Sequence, residues 1–98
     1  MEEAKGGFVY LLTNDKGNIL YIGSTSNLKE RLYFHKKRMV PGFTKRYNVH
    51  KLLYFERHID MASACKRERE LKGKTRAKKE FLIKSVNPTF SEIDSKII

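Results

Sequence analysis

Within Tyr21-Ile22-Gly23-Ser24-Thr25-Ser26-Asn27-Leu28-Lys29-Glu30-Arg31 a β-type run gives way to a helix signal. The apolar residues Ile19 to Ile22 read as a strand that breaks at Gly23. Ser24, Thr25, Ser26 and Asn27 are residue types that cap helices rather than continue strands. Asn27 and Glu30 have the spacing of a capping box, so a helix is expected to start there, with Arg31 in its first turn. His35, four residues on, shares the face of Arg31.

Upstream, Phe8-Val9-Tyr10-Leu11-Leu12 is β-branched and aromatic, and the polar cluster Thr13 to Asn18 separates it from Ile19 to Ile22, which predicts a β-hairpin. A turn centred between Asp15 and Lys16 would set Tyr10 opposite Tyr21 with both rings on one face. Slippage by one residue, with a bulge at Gly17, would send them to opposite faces.

Downstream, the helix carries Leu28, Leu32 and His35 along one side and ends in Lys36-Lys37-Arg38 ahead of Pro41-Gly42. Gly42 to Asn48 has no helical or strand period and is expected to be a surface loop. His50 to Glu56 predicts a third strand. Asp60 can cap a second helix, whose stripe of Met61, Ala64, Cys65, Glu68 and Leu71 follows the spacing of a buried face. Gly73 can end it, and Thr75 can cap a third helix with Ala77, Phe81, Leu82 and Val86 inward, stopped by Asn87-Pro88. The tail is expected to be an edge or a frayed end. The order is ββαβαα: an α+β fold in which a small three-stranded, mainly antiparallel sheet is flanked by helices. One domain is expected over residues 1–98, with its core at about 7–90.

Lys and Arg together number 21 against 11 acidic residues, a formal net charge of +10 with a pI near 9.9. That balance points to an anionic partner, with nucleic acid first, an anionic membrane surface second, and plain solubility as the bland alternative. Apolar runs are only a few residues long, far short of the roughly 20 that span a bilayer. The first seven residues lack the basic and apolar regions of a secretory leader, and the single cysteine, Cys65, fits a reducing compartment, so a cytosolic protein is expected.

An acid on an apolar helix stripe is costly unless something pairs with it, which singles out Glu68. It can be a Mg2+ ligand, since that ion commonly takes one or two carboxylates and completes its shell with water and phosphate. The alternative is a helix-edge glutamate reaching solvent or an arginine. Arg31 can bind a phosphate and its extra transition-state charge, or can simply be solvated. His35 can accept a proton or donate to phosphate, or be a plain half-buried histidine. Tyr10 and Tyr21 are ordinary core residues on composition, and a phenol of pKa about 10 is a poor base without cationic help. The segment Phe43 to Tyr47, with Lys45, Arg46 and Tyr47, can stack bases and hold phosphates, or be a solvated basic loop. Zinc cysteines, a P-loop and a dinucleotide fingerprint are all missing from the sequence.

Phe8-Val9-Tyr10 and Tyr21-Ile22-Gly23, eleven residues apart from tyrosine to tyrosine, resemble the two halves of the GIY-YIG nuclease signature. The likeness continues through Arg31, His35, Glu68 and Asn87, and so covers nearly the whole chain. Phe8 replaces the first glycine of the signature, and Ser24 stands where the excinuclease incision subunit has a lysine. The chain looks like the small stand-alone GIY-YIG proteins, grouped with the catalytic domain of that subunit and with certain homing and restriction endonucleases.

The resemblance implies an endonuclease that hydrolyses DNA phosphodiester bonds with one Mg2+ or Mn2+ ion, in DNA repair or recombination. It assigns metal binding to Glu68, the scissile phosphate to Arg31, water activation to Tyr10 or Tyr21, proton relay to His35, and support of the metal or phosphate region to Asn87. The basic cluster Lys36, Lys37 and Arg38, with Lys45, Arg46 and Tyr47, would grip nucleic acid, and a protein partner would supply substrate choice. A non-catalytic nucleic-acid-binding module of the same fold is the alternative; a basic scaffold protein is a third.

Overall fold

The computed structural model describes residues 6–98; Met1 to Lys5, including most of the residues read for a leader, lie outside the described part. Strand β1 (Gly7–Thr13) pairs antiparallel with β2 (Leu20–Thr25) and with β3 (Lys51–His58), so the sheet order is β2-β1-β3 with β1 in the middle. Helices α1 (Leu28–Lys36), α2 (Phe43–Arg46), α3 (Met61–Lys72) and α4 (Arg76–Val86) surround it, and a 3-10 turn (Ser95–Ile97) closes the chain. This is the expected α+β architecture with one helical turn, α2, inserted ahead of β3.

The hairpin register differs from the expected one by two residues. Gly17 takes a left-handed φ of 71°, and its N–H donates to Asn14 O at 3.0 Å, which moves the centre of the turn one residue along. Tyr10 therefore faces Gly23, and Tyr21 faces Leu12. Because the slip is an even number of residues, both tyrosines stay on one face of the sheet. Their rings lie 6.4 Å apart.

The three helix caps form as their residue types dictate. Asn27, Asp60 and Thr75 accept from the N–H groups of Glu30, Ser63 and Lys78. Only the forward half of the capping box is made, since the Asn27 N–H goes to Thr25 Oγ1 at 3.1 Å.

Each face of the sheet has its own core. Leu28 and Leu32 of α1 cover Tyr10, Leu12 and Leu52, while Ala64 and Leu71 of α3 with Ile83 of α4 cover Val9, Leu11 and Ile22. The β1–β3 register shifts between Leu11 and Leu12, and Leu53 and Tyr54 both join the α3 side.

Three further expectations are corrected. The segment read as a surface loop folds into α2 and buries Thr44. The inward residue of α4 is Ile83, with Leu82 partly covered, while Phe81 and Val86 are 79% and 69% exposed. The tail is anchored rather than frayed: Ile93 N–H donates to Leu52 O at 2.8 Å, and Ile93 and Ile98 pack on the α1-side core.

Candidate active site

The site is built around β2, an edge strand, from both of its faces. On the α1 side, Tyr10 projects from the central strand across its partner Gly23, where a Cβ would run into the phenol. The missing side chain is what lets the ring lie over the edge strand. Tyr10 is fully buried, and its hydroxyl shares a 3.2 Å hydrogen bond with His35 Nε2. His35 Nδ1 lies 3.2 Å from Thr44 Oγ1, so the α2 turn is fastened to the histidine through a buried threonine. Tyr21 packs edge-on to the imidazole at 5.8 Å and lies nearly parallel to Phe43, at 6.4 Å and 17°.

Arg31 lies one helical turn before His35 and is half-buried. Burial, and then the Arg31 charge, push His35 down to about 4, so the imidazole is neutral at physiological pH. The Tyr10 phenol is held far above its ordinary range by burial and by Tyr21; the charge and hydrogen bond of Arg31 oppose this, and Glu68 adds to it. The pair is thus a neutral phenol against a neutral imidazole, with a guanidinium beside them.

The α3 side supplies the carboxylate. The side chain of Glu68 is 19% exposed, Ser24 Oγ of β2 donates to its Oε1, and Lys72 Nζ lies 2.7 Å from its Oε2. Burial favours the acid form, but the hydrogen bonds from Lys72 and Ser24 and the charges of Lys72 and Arg69 outweigh it and keep the carboxyl below its usual range. Cys65 Sγ sits 3.7 Å from Ser24 Oγ. The influence of Glu68 on Tyr10, and of Tyr21 on Lys72, places the two halves in one electrostatic field across the edge strand.

No cluster of three or more His, Cys, Asp or Glu occurs among the described residues. Glu68 is nonetheless ionised and partly exposed, with Lys72 and Arg69 as its cationic neighbours. That donor set suits a hard cation that takes one carboxylate and keeps most of its waters, rather than one needing an all-protein cage.

The hydrogen-bond partners of Asn87 lie outside this group. Its Nδ2 donates to Leu53 O at 3.0 Å and Ser91 O at 2.8 Å, and its Oδ1 accepts from Ser91 N–H, bracing the end of α4 against β3. Among the basic residues, Lys36 is paired with Glu92 at 2.5 Å, Lys37 lies over the Tyr33 ring, and Arg46 lies over Tyr47 at 5.6 Å. Arg38, Lys45 and Tyr47 are exposed.

Sequence reasoning missed Thr44, Lys72 and the space requirement at Gly23. Lys72 was findable as the i, i+4 partner of Glu68. Thr44 had no such signal.

Residues 6–81 match the family model of the GIY-YIG catalytic domain. A UPF0213 protein of Natronomonas pharaonis is 33% identical over 76 residues, which are 78% of this chain and 88% of that protein. The solution NMR structure of a UPF0213 protein from Bacillus halodurans is similar with a TM-score of 0.53 at 25% identity, covering 84% of this chain and 86% of that one. No helix among the described residues is long and apolar enough to cross a membrane. On the matched model, the shared length and the common fold, the chain belongs to the GIY-YIG family.

Proposed function

We propose that the protein is an endonuclease that hydrolyses DNA phosphodiester bonds with one Mg2+ or Mn2+ ion. The observation that supports this most is the chain Tyr10–His35–Thr44, a phenol hydrogen-bonded to a neutral imidazole and flanked by Arg31. A buried phenol needs a partner in any case; what a purely structural pair would not call for is the Arg31 guanidinium beside it.

In this reading the Nδ1–H of His35 donates to Thr44, which fixes the tautomer and leaves the Nε2 lone pair facing the Tyr10 hydroxyl. Tyr10 takes a proton from the attacking water as its own passes to His35 Nε2, so the phenol never carries a full charge. Oxygen of the water bonds to phosphorus, and the bond from phosphorus to the leaving sugar oxygen breaks; that oxygen takes a proton from solvent and His35 gives its extra proton back to solvent, which restores the neutral pair. Arg31, whose charge acts on the Tyr10 phenol, binds the scissile phosphate and holds the phosphoryl charge. Tyr21 lines the mouth and orients the phosphate. Glu68 is the residue that would hold the divalent ion, which supplies charge neutralisation on the phosphate and leaving oxygen. Lys72 and Ser24 hold Glu68 ionised until then. Lys37, Arg38, Lys45 and Arg46 give sequence-independent grip. A cytoplasmic role in repair or recombination, with a partner protein choosing the substrate, belongs to the same proposal.

The test is a panel of labelled duplex, nicked, branched and single-stranded DNA with Mn2+ or Mg2+, wild type beside Glu68→Gln and Arg31→Ala. Product from wild type, lost in both variants with the fold intact, is the expected result. Salt-dependent binding without product from any substrate would overturn it in favour of a binding module.

A further inference from the structure

The α2 turn presents two faces with opposite uses. Thr44 points inward to His35 and is buried, while Phe43 and Tyr47, four residues apart, remain 49% and 43% exposed. Their rings contact each other at 4.8 Å, Arg46 lies over Tyr47, and Phe43 lies nearly parallel to Tyr21 at the site. The result is a continuous run of rings, Tyr21–Phe43–Tyr47, that leads from the candidate active site to the surface. It is edged by the exposed cations Lys45 and Arg46.

We infer that this run is a stacking platform for an unpaired nucleobase next to the scissile phosphate, so the preferred substrate is a flap, gap or single strand rather than intact duplex. The inference rests on the nuclease reading for the position of the phosphate. Ring faces bind base faces, and in a duplex the faces of internal bases are already covered by their neighbours. Phosphate contacts alone would need the cations and not the rings. Exposed rings interleaved with Lys45 and Arg46 complement a ligand that is flat and apolar on its face and anionic along its backbone. The hydrogen bond between His35 and Thr44 fixes the platform at a constant offset from the reacting groups, so the base next to the cut would set its position.

The experiment places 2-aminopurine at the unpaired position beside the junction of a flapped duplex and reads its fluorescence on binding in EDTA. Affinities for flap, single strand and full duplex are measured in parallel. Wild type should quench the probe and hold flap and single strand more tightly than duplex. Phe43→Leu/Tyr47→Leu should abolish the quench and weaken flap and single-strand binding on the order of tenfold, leaving duplex binding within about twofold. Phe43→Trp should retain both. Circular dichroism confirms that the variants are folded. Equal affinity of wild type for paired and unpaired DNA, an unquenched probe, or equal losses on all three substrates would overturn the platform. Because turnover is not read, a quench without any cleavage under Mn2+ would sink the nuclease reading and leave the platform standing. Cleavage without a quench would do the reverse.

Discussion

The phenol of Tyr10 occupies the space where Gly23, its antiparallel partner, would otherwise carry a side chain. One residue of each signature tripeptide is thereby explained by the other, because one needs a ring and the other must leave room for it. Gly23→Ala is expected to push the ring off the edge strand at a cost of about 1–3 kcal/mol. Urea unfolding of Gly23→Ala, Tyr10→Ala and the double variant checks it. The double variant should be more stable than the sum of the single changes predicts, and simple additivity would contradict the contact.

Lys72 occupies one oxygen of the carboxylate proposed to hold the divalent ion. Lys72→Met removes a competing cation, so Mn2+ affinity measured by calorimetry should tighten several-fold, whereas Glu68→Gln should remove it. The effect is modest because the Lys72 side chain is more than half exposed and its charge is screened. Unchanged affinity in Lys72→Met would show that the ion does not use that oxygen.

His35 gives the fold a defined acid sensitivity. Its pKa falls from 6.5 to about 4 on folding, so between these values the unfolded chain binds more protons and stability drops as pH falls. From pH 6.5 to 5 the loss is about 2 kcal/mol. In His35→Gln this part of the slope should vanish in urea titrations across that window, in which carboxylates remain largely ionised. A slope equal to that of wild type would mean that the imidazole is not buried neutral.

Asn87 separates support of the fold from support of the chemistry. With both of its amide groups spent on main-chain partners, Asn87→Ala should lower stability by about 2 kcal/mol. Cleavage per folded molecule should stay within about twofold of wild type. A large fall in turnover at unchanged stability would return Asn87 to the reacting centre.

Local signals were the legible part of this molecule. Asn27, Asp60 and Thr75 cap the helices that their types announce, because a cap is settled by residues within one turn. The stripe of α3 was readable for the same reason. Hairpin register was not, since it depends on which turn residue takes a positive φ, and Gly17 moved every pair by two. The face of α4 was misread because Phe81 is the largest apolar residue there, yet Ile83 is the one that meets the sheet.

The site was legible as a set of residues and not as an arrangement. Spacing from Tyr10 to Tyr21 and the order of Arg31, His35 and Glu68 carry the resemblance to the family, and in the structure those five lie around β2. Thr44 is invisible to periodicity, since its role exists only when α2 folds back on α1. Asn87 has its place in the order of the motif, but here its amide is drawn to the main chain of β3.

The division of the site between two faces of one strand also has a consequence in time. Tyr10, Arg31 and His35 leave the ribosome well before Glu68, which comes on the helix whose Ala64 and Leu71 complete the second core. A nascent or clipped chain lacking α3 can hold the early residues but not the carboxylate or Lys72. In the proposed nuclease, the site is therefore complete only once α3 has packed on the sheet, and a chain that ends before α3 would bind phosphate without holding the ion.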